Sequence, residues 1–274
     1  MTNPTVAIFS SRLLPASETF IRAQGEGLQQ FSSYYVGLRL VEGLPLPSDR
    51  SLVVNQGGLI GTLKEGVFKF LGLNPKLYRE IRRLSPKLIH AHFGISGALA
   101  LPLAKGLQVP LVVTFHGSDA TMKDEYARRA SYSHRIYLHR REALKKEVKL
   151  FIAVSHFIKE KLLSQGYPSD KIEVHYIGVD REAFQPDPAV TREPVVLFVG
   201  RLVEKKGCEY LIRAMGEVQK VNPNVELVVI GDGPSRPRLE ELAANQLKRC
   251  KFLGIQPPGV VHSWMNRASL LAAP

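Results

Sequence analysis

The sequence predicts an α/β protein made of two domains, each a doubly wound parallel sheet. Short apolar runs with strand composition alternate with helix-like segments along most of the 274 residues. The alternation stops once, between Asp180 and Pro194, where three prolines and several charges stand close together, and then it starts again. Because strands that alternate with helices pair in parallel, each half is expected to place helices on both faces of its sheet.

The interruption sets the expected domain boundaries. We predict a first domain over 1–180, a linker over 181–194 and a second domain over 195–274. The second domain has about 80 residues, which is short for a doubly wound sheet. It is therefore expected to be incomplete at Pro274.

The elements follow from the hydrophobic pattern. In the first domain, strands are expected at 5–10, 34–38, 88–92, 111–115, 150–154 and 172–176. Helices are expected there at 18–31, 63–71, 76–84, 96–107 and 156–165, with one long charged helix within 123–149. In the second domain, strands are expected at 195–199, 225–230, 251–253 and 270–273, and helices after Gly207 and at 238–246 and 260–267. The Gly- and Pro-rich stretch 43–61 predicts no element.

Charge and cysteine content narrow the class of protein. The formal net charge of +12 favours an anionic partner, which could be a phosphorylated metabolite, an acidic membrane surface or nucleic acid. Nucleic acid is disfavoured because no recognition motif is visible and aromatic residues are sparse among the basic ones. Cys208 and Cys250 are the only cysteines, so neither a disulfide framework nor a cysteine metal site is predicted. No signal peptide or apolar span is predicted, which is typical of a cytoplasmic protein.

A strand, a basic turn and a helix follow one another from Val195 to Gly216. The turn carries Arg201 and Lys206, and the helix begins after Gly207. Turns at the carboxyl edge of a parallel sheet collect ligands, and the first N–H groups of a helix favour an anion. A planar guanidinium and a compact ammonium suit a diphosphate. The alternative is a solvated loop in a basic protein.

Two further turns of the second domain are candidate binding sites. Gly231 and Gly233 lie between a strand and a helix, where they permit a tight turn and close approach to a ligand. Ordinary turn chemistry explains them as well. Phe252 and Leu253 end the next strand. The backbone there could face a nucleobase, and the alternative is an ordinary strand end without a binding role.

In the first domain, polar residues follow the strand 111–115. His116 could hold a ligand hydroxyl or share a proton, Gly117 permits an abrupt turn, and Asp119 could orient the histidine or cap the next helix. A structural histidine is the alternative. His90 and His92 alternate along one strand and share a face, but packing is favoured over a metal because no third ligand is evident.

Polar residues also follow the first strand. Ser10 ends the predicted strand, and Ser11 and Arg12 begin a loop over 11–17. Ser10, Ser11 and Arg12 would bind an acceptor, and Ser17 is explained as a helix cap.

The segment Lys123–Lys149 is strongly basic and carries interspersed tyrosines. A solvated basic helix is the favoured interpretation, and a helix resting on anionic lipid is the alternative.

Several of these motifs together resemble a known family. The motifs are His-Ala-His-Phe-Gly94, Thr-Phe-His-Gly-Ser-Asp119, Ala-Val-Ser155, Gly-Val-Asp180, Val-Gly-Arg201 with Lys-Lys-Gly207, and Gly-Asp-Gly-Pro234. Their order resembles glycosyltransferase family 4, and Ser-Glu-Thr-Phe20 is similar to its bacterial exopolysaccharide and colanic-acid-type branch. The resemblance implies the GT-B architecture, with two Rossmann-like domains facing a cleft and the second domain incomplete here, because the family continues into a segment with paired glutamates.

The resemblance also implies roles. Arg201 and Lys206 would stabilise the leaving diphosphate in place of a metal, since no Asp-x-Asp motif is present. His116 would lie near the donor sugar, where it could hold a hydroxyl or assist departure of the leaving group, with Gly117 and Asp119 beside it. The remaining implied binding residues are Gly231, Gly233, Phe252 and Leu253 for the donor, and Ser10, Ser11 and Arg12 for the acceptor.

The resemblance therefore predicts a retaining, metal-independent glycosyltransferase with a nucleotide-sugar donor as substrate and no cofactor. Its acceptor would be a lipid-linked or polysaccharide molecule in cell-surface polysaccharide biosynthesis, and the protein would be cytoplasmic or peripheral on the inner face of the membrane. A non-catalytic remnant that binds acceptor or a partner enzyme is the alternative, and a nucleotide-sugar epimerase is a weaker one.

Overall fold

A computed structural model describes residues 3–15, 17–41, 43–45 and 47–274 of the chain. The chain forms two compact units, Met1–Gly178 and Val179–Pro274. Each unit contains one parallel sheet with helices packed against it.

The first unit contains a seven-stranded sheet in the order β3-β2-β1-β4-β5-β6-β7. Its strands are β1 Thr5–Leu13, β2 Ser32–Leu40, β3 Ser51–Asn55, β4 Leu88–His92, β5 Leu111–Phe115, β6 Leu150–Ala153 and β7 Ile172–Val174. All neighbouring strands pair in parallel. The winding direction reverses between β1 and β4, which is the position where open α/β sheets bind ligands.

Helices cover both faces of this sheet. They are α1 Thr19–Glu26, α2 Gly58–Leu71, α3 Pro75–Leu84, α4 Gly94–Leu107, α5 Ser118–Thr121, α6 Asp124–Ala130, α7 Tyr132–Glu147 and α8 His156–Ser164. Side chains at their starts satisfy free N–H groups: Asn74, Ser131 and Ser155 accept from the backbone of α3, α7 and α8. These caps explain why the chain changes direction at those residues.

Alternation along β1 divides the core of the first unit in two. Phe9 belongs to a large cluster with α4 and the later strands, whereas Ile8 belongs to a smaller cluster with Ile21 and Tyr35. Successive side chains of a strand point to opposite faces, so every second residue of β1 and β4 faces the smaller cluster.

The second unit contains a four-stranded parallel sheet in the order β10-β9-β8-β11. Its elements are β8 Glu193–Val199, α9 Cys208–Val221, β9 Glu226–Ile230, α10 Arg236–Gln246, β10 Cys250–Gly254, α11 Pro258–Arg267 and β11 Ala268–Leu271. The segment before β8 hydrogen-bonds to this unit, since the Asp187 N–H donates to Asn266 (2.8 Å) and the Gln185 carbonyl lies 2.8 Å from His262 Nε2.

The structure corrects three predicted elements. β1 continues to Leu13, through residues assigned to a loop, because Arg12 and Leu13 pair with the corresponding residues of β2. The stretch 43–61 contains β3, which adds to the edge of the sheet. The long charged helix is divided into α6 and α7 at Ser131.

Candidate functional site

A cluster of histidines lies at the carboxyl ends of β4 and β5. His92 ends β4 beside Thr114 of β5, and His116 is the first residue after β5. His92 Nδ1 and His116 Nε2 are 3.0 Å apart, and their rings stack with centroids 5.2 Å apart. His90 Nε2 lies 2.7 Å from Thr114 Oγ1. The geometry explains the alternation of His90 and His92, since both face the same side of the sheet as His116.

These imidazoles are held neutral. Burial lowers the pKa of His90 and of His116 to about 4, and burial also holds the pKa of His92 well below its ordinary value. A neutral imidazole donates one hydrogen bond and accepts another. No group of three or more His, Cys, Asp or Glu is arranged as a metal site in the part of the chain that the structure describes. The cluster is thus suited to hydroxyl groups.

Asp119 fixes the turn that carries His116. Its carboxylate accepts from the backbone N–H groups of Gly94 (3.0 Å), His116 (3.1 Å) and Gly117 (2.9 Å). Burial raises the pKa of Asp119, although these donors act in the opposite direction. The carboxylate therefore joins the turns after β4 and β5, and Gly117, at φ 139°, supplies the sharp bend.

β1 passes beside the histidines at Ser10. Continuing the pairing of Phe9 with Ala91 by one residue places Ser10 next to His92. Ser10 is buried, and the Ser11 N–H donates to Ser96 Oγ at 3.1 Å. Arg12 is exposed. The prediction of a loop at Ser11 and Arg12 is wrong, because both residues belong to β1.

Glu18 is the residue that the sequence pattern did not assign. It precedes α1, and burial raises the pKa of its carboxyl to about 7, with the nearby Arg12 acting in the opposite direction. Phe20, two residues on, lies against His116 with ring centroids 4.7 Å apart. The Ser-Glu-Thr-Phe20 motif was a signal, but the burial of the carboxyl depends on the tertiary fold.

Unpartnered polar atoms converge at this edge of the first sheet. Five buried side-chain nitrogen or oxygen atoms lack a hydrogen-bond partner among the described residues. Four of these atoms are Ser10 Oγ, Glu18 Oε2, His92 Nε2 and His116 Nδ1. Native proteins rarely leave such groups unpaired, so their grouping indicates a binding site for a polar ligand. The fifth, Arg141 Nε, lies on α7.

The second unit presents two exposed cations in the turn between β8 and α9. Arg201 follows Gly200, and Lys206 ends a 3₁₀ turn directly before Gly207. Gly207 has φ 68°, and α9 begins at the next residue. Both cationic side chains are exposed and make no side-chain hydrogen bond or ion pair within the described ranges. Their donors are therefore free for an anion beside a helix start.

Close backbone contacts join the neighbouring turns of the second sheet. A Cβ atom on Gly231 would collide with the carbonyl of Gly200, and one on Gly233 with the carbonyl of Leu202. The Gly231 N–H donates to the Gly254 carbonyl at 2.8 Å. Both glycines are thus required for close packing of the turns. This packing supports the alternative interpretation of the motif, in which the glycines serve the turn and not a ligand.

Phe252 and Leu253 of β10 pack against hydrophobic clusters on opposite faces of the second sheet. Both side chains are half-buried in these contacts, and the backbone of the two residues lies near the carboxyl end of the strand.

Matches to known families cover most of the chain. The model of Glycosyltransferase Family 4 matches residues 34–183, and that of Glycosyl transferases group 1 matches residues 179–274. The chain belongs to glycosyltransferase family 4, as its motifs predicted.

Individual relatives agree with this assignment. The chain is 27% identical over 265 residues to alpha-D-kanosaminyltransferase of Streptomyces kanamyceticus, which covers 87% of this chain and 65% of that protein. It is 29% identical over 191 residues to the amylovoran biosynthesis glycosyltransferase AmsK of Erwinia amylovora. That match covers 67% of this chain and 44% of AmsK. The chain thus spans less than two thirds of the length of these relatives.

Solved structures show the same fold. The Anabaena protein Alr3699/HepE, in complex with UDP-glucose, superposes with a TM-score of 0.72 at 19% identity, over 98% of this chain and 73% of that one. Sucrose-phosphate synthase from Thermosynechococcus elongatus superposes with a TM-score of 0.71 at 20% identity, over 99% of this chain and 75% of the synthase chain. The predicted GT-B fold of two Rossmann-like domains is confirmed.

Proposed function

We propose that the protein is a retaining, metal-independent glycosyltransferase that moves a sugar from a nucleotide-sugar donor to a lipid-linked or polysaccharide acceptor. Membership of glycosyltransferase family 4 supports the transfer chemistry. A role in cell-surface polysaccharide biosynthesis is supported by relatives named for the biosynthesis of amylovoran and, putatively, of teichuronic acid. The nucleotide sugar is supported by a structural neighbour in complex with UDP-glucose.

The observation that carries the proposal is the pair of free cations in the β8–α9 turn. Arg201 and Lys206 would bind the donor diphosphate and stabilise the negative charge that develops on it as the sugar leaves. Their two positive charges would do the work that a divalent cation does in other transferases.

In the first unit, His116 would hold a hydroxyl of the donor sugar. Its Nδ1 is unpartnered, and its Nε2 contacts His92. Since the imidazole is neutral, it would orient the sugar by hydrogen bonding rather than by charge.

The acceptor would bind at the neighbouring polar atoms, Ser10 Oγ and Glu18 Oε2. An ionised Glu18 would accept a hydrogen bond from an acceptor hydroxyl and orient its oxygen. The anomeric carbon would then exchange its bond to the diphosphate for a bond to the acceptor oxygen on the same face. The acceptor proton would pass to the departing diphosphate.

The proposal is tested with the variants Arg201→Ala and Lys206→Ala. Each is expected to lower the transfer of a radiolabelled sugar from a nucleotide donor to lipid-linked acceptors by about 10²-fold or more. Lys205→Ala, at the exposed residue beside Lys206, is the matched control and should keep the wild-type rate. A normal rate in either of the first two variants would contradict the assignment.

A further inference from the structure

Helix α2 carries an apolar stripe on the side that faces away from the protein. Gly61, Glu65 and Phe68 are the buried residues of this helix and mark the side that packs on the unit. Its exposed large apolar residues are Leu59, Ile60, Leu63, Val67, Phe70 and Leu71. Their exposed fractions range from 37% for Val67 to 90% for Leu59, so none of them contributes mainly to the core.

The stripe is continuous and lies opposite the packed side. At about 100° per residue, these six residues occupy a sector of about 120°, centred roughly opposite Gly61 and Glu65. A surface helix normally shows polar residues on its outer side and apolar residues on its inner side. Leu73, also exposed, extends the apolar surface beyond the end of the helix. Such a contiguous exposed apolar patch marks a docking surface.

Positive charge is concentrated on α2 and on the helix that follows it, α3. The segment from Gly57 to Ser85 holds six Lys or Arg and two Glu. The exposed cations are Lys64, Lys76, Arg79, Arg82 and Arg83.

Both glutamates of this segment are already paired. Glu65 is buried against Arg39 (2.9 Å) and Lys69 (2.6 Å), and Glu80 lies 3.3 Å from Arg83. The segment that carries the stripe therefore has a positive net charge, and its five exposed cations, here called the basic rim, are complementary to an anionic surface.

We propose that α2 docks on an anionic lipid bilayer, with its apolar stripe in the interface and the basic rim on the headgroups. An interfacial helix of this kind combines buried apolar area with attraction to acidic lipids. No described helix of the chain is long and apolar enough to cross a membrane. A symmetric dimer through the stripe would bring two basic rims together, so charge disfavours a second copy as the occupant.

The basic segment Lys123–Lys149 does not offer an equivalent surface. Ile136, Tyr137 and Leu144 are buried in the core and unavailable to lipid, which leaves Tyr126 and Tyr132 as its exposed aromatic residues. Tyr132 is exposed, and its ring centroid lies 6.3 Å from that of Phe70, which places it at the margin of the α2 stripe. This docking rests on the lipid-linked acceptor of the proposed function, but its failure would leave the transfer chemistry untouched.

The test is flotation of the 274-residue chain with vesicles of phosphatidylcholine, with and without phosphatidylglycerol. The wild-type chain should float with the anionic vesicles, and about 0.5 M salt should weaken that association. The double variant Leu63→Gln/Phe70→Gln should lower the partition coefficient by about tenfold or more. Val221→Gln, at an exposed apolar residue of the second unit, is the matched control and should float like the wild type.

The basic rim is tested by the variant Arg79→Gln/Arg82→Gln/Arg83→Gln. It should bind anionic vesicles less tightly and show a weaker salt dependence than the wild type. All these residues are exposed, and circular dichroism should show native folding of every variant.

Three outcomes would overturn the proposal. They are no flotation of the wild-type chain, unchanged flotation of Leu63→Gln/Phe70→Gln, and a concentration-dependent oligomer that this variant abolishes without any vesicle binding by the wild type. The last outcome would assign the stripe to a contact between copies of the chain.

Discussion

The carboxyl edges of the two sheets differ in chemistry. At the first edge, the polar atoms of Ser10, Glu18, His92 and His116 are buried, and the imidazoles are neutral. At the second edge, cations stand exposed on glycine turns. Burial suits the recognition of hydroxyl groups by directed hydrogen bonds, whereas exposed cations suit a charged diphosphate. The two edges are therefore suited to different chemical groups.

The largest expected difference between the units is their sensitivity to acid. Because burial lowers the pKa of His90 and His116 to about 4, the folded chain binds fewer protons than the unfolded chain between pH 6.5 and about 4. Stability is therefore lost as the pH falls through that window, by up to about 3 kcal/mol for each group. The second unit contains a single histidine, His262, so it has no comparable histidine cluster.

Hydrogen exchange of β5 and β9, corrected for intrinsic rates, measures this difference. Protection of β5 should fall more steeply than protection of β9 on acidification. An equal fall in both strands would show that the histidine cluster does not control the first unit.

The next effect concerns the clamp at the first edge. Asp119→Ala removes the acceptor for three backbone N–H groups and should lower the free energy of unfolding of the first unit by about 3 kcal/mol. Thermal unfolding measures the loss. Asp170→Ala, at an exposed aspartate, is the control and should leave the transition temperature unchanged. Equal changes in transition temperature for both substitutions would contradict the structural role of Asp119.

A smaller effect with the opposite pH dependence is expected at Glu18. Its pKa of about 7 exceeds the ordinary 4.5, so the folded carboxyl retains its proton longer and stability falls as the pH rises from 4.5 to about 7. Glu18→Gln should therefore be more stable than the wild type at pH 8, by about 2 kcal/mol, and equal to it below pH 4.5.

Urea unfolding at several pH values measures this difference, with Glu160→Gln at an exposed carboxylate as the control. If Glu18 also positions the acceptor, Glu18→Gln should raise KM for the acceptor and remove a break near pH 7 from the rate profile. If Glu18→Gln is more stable at pH 8 but has wild-type kinetics, Glu18 affects stability and does not position the acceptor.

The sequence predicted most elements because their patterns are local. The bounds of β4 and β5 agree with the prediction, since each is a compact apolar run with polar neighbours. β3 was missed because it is a short edge strand within a Gly- and Pro-rich stretch.

The site was predicted less completely, because its decisive features depend on neighbouring strands. The contact between His92 and His116 follows from the pairing of β4 with β5, and the burial of Glu18 follows from the packing of α1. The charge of Lys123–Lys149 made a lipid-binding helix there the alternative to a solvated one. The apolar surface of α2 was not predicted, because only the fold shows which side of this helix packs inward.

The most direct test of the central claim is calorimetric titration of the chain with UDP, GDP and ADP in the presence of EDTA. We expect one of these nucleotides to bind without a divalent cation, and Arg201→Ala and Lys206→Ala each to weaken that binding by about tenfold or more, which corresponds to 1.4 kcal/mol. Lys205→Ala should bind as the wild type does. Binding that requires a divalent cation, or that is unchanged in both variants, would contradict the assignment of these two residues to the donor diphosphate.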